Sequence, residues 1–141
     1  MESPLQCLDC GGKVPLYRVP WPNSDQCQRV IWWQSNYQAC DTLNMDCGFG
    51  ERFGERQMSN WNSGLSKQGR EICTEIQKHT GRPVYYYLYR HHGKSQQMED
   101  ERRCPSCGGA WQLAYPLHKL CDFKCDECCL LSNVALSVRN S

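Results

Sequence analysis

The stretch CPSCGGAWQLAYPLHKLCDFKCDEC places a C-x2-C pair at Cys104 and Cys107 and a second at Cys125 and Cys128, with 17 residues between them. Two residues between paired cysteines let the backbone curl until both sulfurs reach one ion about 2.3 Å away, and two such pairs at this separation are the pattern of a four-thiolate zinc site. Gly108 and Gly109 give the first turn its freedom. Trp111, Leu113 and Tyr115 alternate between the pairs as in a strand, and Val134, Leu136 and Val138 alternate beyond them. The expectation is a zinc ribbon. A site closed by four thiolates has no position left for water or substrate, so its ion is structural.

Cys-Pro-Ser-Cys is also a thiol-exchange sequence, but no βαβ pattern surrounds it and no helix signal begins at Cys104. The zinc-deaminase signature is absent, because His79, His91, His92 and His118 all lack a Glu two positions on. The 12 cysteines in 141 residues would suit a disulfide scaffold if the chain were secreted. Its start, MESPLQCLDCGG, has neither the apolar run of a signal peptide nor that of an anchor, and no window reaches the roughly 18 apolar residues of a membrane span. A cytoplasmic chain keeps its thiols reduced, which favours metal. With 16 Lys and Arg against 15 Asp and Glu, the net charge of +1 draws the chain to neither nucleic acid nor membrane, and binding to either would need a local patch.

Before the ribbon, GGKVPLYRV reads as a short strand stopped by Pro20 and Pro22. QRVIWWQ (28–34), rich in β-branched and aromatic residues, reads as a second strand buried on both sides. Ser35 with Gln38 is a capping box, which predicts a helix from about Asn36 to Cys47 with Gly48 as its left-handed stop. The glycine-punctuated segment 48–64 reads as a loop with at most one helical turn. LSKQGREICTEIQKHTG predicts a helix with Ser66 as N-cap, Ile72, Cys73 and Ile76 on one face and Gly81 as stop. VYYYLYRHHG (84–93) predicts a strand, and KSQQMEDERR a polar linker. The fold class is therefore α+β, a small mixed sheet with two helices plus a C-terminal zinc ribbon, divided into a body at 1–95 and a ribbon at 96–141.

CLDCGG (7–12) repeats the cysteine and glycine positions of CPSCGG. Half a site needs another half, and the candidates are Cys27, Cys40, Cys47 and, less readily, Cys73. Cys40 and Cys47 share a face of the predicted helix, yet seven residues at 1.5 Å rise separate their Cα atoms by about 10 Å. Both could serve one ion only if the helix ends or bends before Cys47. The other reading makes Cys40 a small buried apolar residue and the N-terminal pair vestigial.

WWQSNYQACDTLNMDCGFGERFGERQMS, LSKQGREIC, GRPVYYYLYR and the two C-x2-C pairs of the C-terminal stretch together resemble a bacterial family of uncharacterised zinc-ribbon proteins to which nucleic-acid binding is ascribed. The resemblance spans most of the chain. It implies two zinc ions, held by Cys7, Cys10, Cys40 and Cys47 and by Cys104, Cys107, Cys125 and Cys128. It also implies an additional N-terminal region that this chain lacks.

For nucleic acid, Arg90, His91, Lys94, Arg102 and Arg103 interleave or follow the tyrosines of 85–89, and rings beside cations are what single-strand binding uses. Alternating tyrosines on a central strand are equally the core of a sheet. The alternative is a protein-binding adaptor or toxin-neutralising inhibitor, suited by near-neutral charge and small size. A small-molecule substrate is not expected, and enzymatic chemistry, which could use His91 with Cys121, ranks third.

Overall fold

The computed structural model describes residues 3–140. Its helices are α1 (Ser24–Met45), α2 (Glu51–Ser59), α3 (Gly64–Thr80) and the short α4 (Gln96–Asp100) and α5 (Leu136–Arg139). Four strands, β1 (Tyr86–Leu88), β2 (Gln112–Leu117), β3 (Cys121–Cys125) and β4 (Leu130–Ser132), form one mixed sheet in the order β1-β4-β3-β2. The class is α+β, as the sequence predicts.

The residues read as a second strand lie inside α1. Asn23 caps that helix, its side chain accepting from the Gln26 amide at 3.2 Å, so the helix starts well before Ser35. The aromatic run then distributes around the helix rather than across two faces of a strand. Trp32 points to solvent, whereas Val30, Trp33, Tyr37, Cys40 and Asn44 follow one inward stripe. The helix ends at Met45 with Asp46 as its C-cap, and the left-handed glycine comes later, at Gly50, where it starts α2. Segment 48–64 thus holds a helix of 9 residues instead of a loop. The two helices cross where Gly54 meets α1: a Cβ there would lie 2.4 Å from the Cys40 carbonyl oxygen. Residues 16–18 form one turn of 3-10 helix where a strand is predicted, and Lys13 forms an isolated bridge with Gln6.

α3 follows its sequence signals closely. Its N-cap is Ser63 rather than Ser66, Ile72 and Ile76 are buried, and Gly81 closes it at φ +69°. Trp33 of α1 and Tyr86 of β1 pack edge to face at 5.9 Å, joining the helices to the sheet.

Body and ribbon share that sheet. β1 pairs in parallel with β4, and β4 continues antiparallel to β3, which pairs with β2. Trp111, Phe123, Leu130 and Val134 from the ribbon form one core with Tyr86 and Leu88 of β1. The region after β4 turns into α5 instead of alternating as a strand.

The predicted polar linker is a structural joint. Glu99 of α4 is 1% exposed and accepts from Arg90 Nε at 3.0 and 3.1 Å, Arg102 Nη1 at 3.3 Å and the Ala135 amide at 2.8 Å. A carboxylate this deep is stable only with cations and donors around it. Replacing Glu99 with Ala should therefore lower stability by about 3 kcal/mol, because both arginines keep their charge and lose its partner. Denaturant unfolding measures this, and an unchanged midpoint would mean that the joint carries no weight.

Candidate metal centre

The four predicted ribbon cysteines come together. The sulfurs of Cys104, Cys107, Cys125 and Cys128 lie within 4.8 Å of one another, and Cys107 and Cys125 are 3.8 Å apart. A tetrahedral ion with bonds near 2.3 Å requires sulfurs roughly 3.8 Å apart, so the donor set fits such an ion.

Local backbone explains the convergence. In the first knuckle the Gly108 amide donates to the Cys104 carbonyl at 2.8 Å and the Cys104 amide to the Gly109 carbonyl at 3.0 Å. Gly108 turns at φ +73°, and the Gly109 amide donates to Cys107 Sγ at 3.4 Å. That amide is the main cause holding the Cys107 thiol below its usual range. The second knuckle caps β3: the Cys128 amide donates to Cys125 Sγ at 3.4 Å. Burial pushes the thiols of Cys104 and Cys125 upward, so a cation among the four is what lets them lose their protons together. Cys129 occupies the place that Gly108 has in the first knuckle, and it does so at φ +54°, a region costly for any residue with a Cβ.

The N-terminal set is not assembled. Among the described residues, the ribbon tetrad is the single group of three or more His, Cys, Asp or Glu side chains with ligand atoms this close. Cys40 is buried with Met58 and Leu65, against Trp33, Tyr37 and Tyr89, and burial raises its thiol. Cys47 lies just past the end of α1. The helix that the ligand pattern needed to end before Cys47 does end there, but Cys40 faces the core. Cys7 and Cys10 remain together in their own knuckle, near the surface.

The five residues considered for nucleic acid have unlike surroundings. Arg90 and Arg102 are bound to Glu99, and Arg102 also donates to the Asn133 carbonyl at 2.9 Å and Ser132 Oγ at 3.1 Å. The Arg102 guanidinium lies 4.8 Å from the centre of the Phe123 ring, and burial lowers its pKa to about 10. His91 shares a hydrogen bond with the Tyr89 hydroxyl at 3.2 Å. Lys94 and Arg103 are exposed. Of the tyrosines, Tyr86 is core, Tyr87 donates its hydroxyl to Asn133 Oδ1 at 2.8 Å, and Tyr85 donates to Asp126 at 2.5 Å.

Residues 1–89 match the family described as domain of unknown function DUF2310, which covers more than half of the chain. The protein belongs to that family. Residues 93–138 match a second domain of unknown function, DUF8594. Two relatives from Haemophilus influenzae, each called an uncharacterized protein, are 41% identical to this DUF2310 member over 133 residues, 94% of its length. The chain spans 66% of one of these relatives and 51% of the other. No solved structure matches it. Neither family description names a metal or a nucleic acid, so both subjects rest on the residues themselves.

Sequence reasoning missed Glu99, Asn133 and the turn role of Cys129. Only Glu99 carried a signal, an acidic residue flanked by arginines at 90 and 102. Two substitutions separate ligand from neighbour. Cys125→Ser should remove one equivalent of metal and loosen the packing of Trp111, measured by elemental analysis and near-ultraviolet circular dichroism. Cys129→Gly should keep the metal and raise stability by about 1 kcal/mol, because glycine adopts the left-handed turn without a Cβ clash. Metal loss in Cys129→Gly, or full metal content in Cys125→Ser, would reassign the ligands.

Proposed function

We propose that the protein is a non-enzymatic, cytoplasmic binding module whose C-terminal ribbon is fastened by one structural zinc ion, and that its partner is another protein. The tetrad carries this reading. Four soft thiolates at tetrahedral separation suit zinc, and with all four positions filled by the chain the ion offers none to a substrate. What zinc supplies when bound is cohesion: it fixes two knuckles and the β2–β3 hairpin between them. Cys121 is a poor nucleophile, since it is buried and its thiol is pushed up to about 11. Among the described residues no helix is long and apolar enough to cross a membrane.

The fate of the cations favours a protein over nucleic acid. Arg90 and Arg102 neutralise Glu99, which leaves Lys94 and Arg103 as the exposed cations of the five residues proposed for nucleic acid, few for a polyanion whose binding depends on many phosphate contacts. Elsewhere, large apolar side chains stand in solvent around the turn from α1 to α2: Met45 is 54% exposed, Phe53 57% and Phe49 79%. Such residues suit a protein-binding surface of an adaptor or a toxin-neutralising inhibitor.

Affinity capture with the zinc-loaded protein from its native lysate, split with and without nuclease, tests this. The reading predicts a stoichiometric protein that survives nuclease and is lost with a Phe49→Ala, Phe53→Ala double variant. Retention of RNA or DNA alone, through Lys94 and Arg103, would replace it with the nucleic-acid reading.

A further inference from the structure

The N-terminal knuckle is built like the ribbon's ligating knuckle. The Cys7 amide donates to the Gly12 carbonyl at 2.8 Å and the Gly11 amide to the Cys7 carbonyl at 2.8 Å, the same two bonds that close Cys104–Gly109. Gly11 turns at φ +76° against +73° for Gly108. The Gly12 amide donates to Cys10 Sγ at 3.4 Å, as the Gly109 amide does to Cys107 Sγ at 3.4 Å. Two unrelated stretches of the chain therefore share a backbone whose amides are aimed at paired sulfurs, and one of them belongs to a complete four-thiolate site. A buried apolar cysteine has no use for this arrangement, and Cys10 is exposed.

The chain does not complete this second half-site. Among the described residues no third His, Cys, Asp or Glu ligand atom gathers with Cys7 and Cys10. His118, at the tip of the β2–β3 hairpin, approaches from the carbonyl side: its Nε2–H donates to the Leu8 carbonyl at 2.5 Å, and its Nδ1 would lie 3.1 Å from a Cβ on Gly11. It braces the knuckle and clamps the hairpin tip against it. Lys119 follows His118 in the chain, and Asp9 follows Leu8, so the bond between His118 and Leu8 ties together the two segments that carry them. Asp9 and Lys119 are both exposed and opposite in charge, the combination by which two copies of one face can meet with unlike charges opposed.

We propose that Cys7 and Cys10 are half of a zinc site completed by Cys7 and Cys10 of a second copy of the chain, so that one ion clasps a dimer. The four thiols give up their protons as the ion binds, and the result is a closed tetrahedral centre of the same donor set as the ribbon's. Two-fold symmetry supplies two equivalent knuckles at no further cost in design. The inference rests on the metal-binding reading of the ribbon only through the shared knuckle design.

The test is the mass and zinc content of the full chain, reconstituted with zinc alone and sized by light scattering and native mass spectrometry. The expected result is a dimer holding three zinc ions, one in each ribbon and one shared, with Cys7→Ser, Cys10→Ser chains monomeric at one zinc each and weakened in self-association by more than tenfold. A wild-type monomer with one zinc would overturn the clasp and leave the ribbon reading intact. A wild-type monomer with two zinc ions would overturn it by showing that the chain closes the second site alone, and a dimer insensitive to the double substitution would overturn it as well. A dimer with a single shared zinc would support the clasp while removing zinc from the ribbon. Since wild type alone separates these outcomes, poor folding of the variant does not shield the proposal.

Discussion

Four sulfur atoms packed within 4.8 Å of one another set the terms for the C-terminal half of the molecule. Four thiols brought this close lose their protons together only around a cation, and the burial that raises Cys104 and Cys125 makes the requirement sharper. The rest of the ribbon serves the cluster. β3 ends on Cys125, β4 begins soon after Cys128, and these two strands present Phe123 and Leu130, both fully buried, to the core shared with β1.

The second constraint is a buried negative charge. Glu99 draws Arg90 from the end of β1, Arg102 from the approach to the first knuckle and the Ala135 amide from the C-terminal turn onto one carboxylate. Asn133 extends the joint, accepting from the Arg90 amide at 3.0 Å and donating to the Arg90 carbonyl at 2.9 Å. The ribbon is thereby held in one orientation against the helices, with β1 and β4 paired across the seam where the two family matches meet. Arginines that look available for phosphate in the sequence are thus used within the fold.

The cysteine tetrad was legible because its signal is local: two residues between paired cysteines and a nearby glycine dictate the turn whatever surrounds them. The termination of α3 at Gly81 was legible for the same reason. The Val30–Trp33 run failed as a guide because β-branched and aromatic residues report burial as much as strand, and here the Asn23 cap and a stripe of period 3.6 through Val30, Trp33 and Tyr37 override strand preference. α2 was hidden by its glycines: Gly50 and Gly54 read as loop punctuation, yet Gly50 is the entry turn and Gly54 permits the close crossing with α1. Asn133 lies far in sequence from Arg90, as Glu99 does from the Ala135 amide, and no local pattern reports such pairs. The match of CLDCGG to CPSCGG was visible at once, but only the shared hydrogen bonds establish that both are the same turn. The sequence offered Cys40 and Cys47 to complete it, and packing took Cys40 into the core.

The central claim is a metal bound wholly by thiolates, and X-ray absorption at the metal edge of the purified protein addresses it most directly. The account predicts a zinc edge with a first shell of four sulfur atoms near 2.3 Å and no nitrogen or oxygen scatterer. A shell containing nitrogen or oxygen, or a protein that folds with no metal at all, would contradict it.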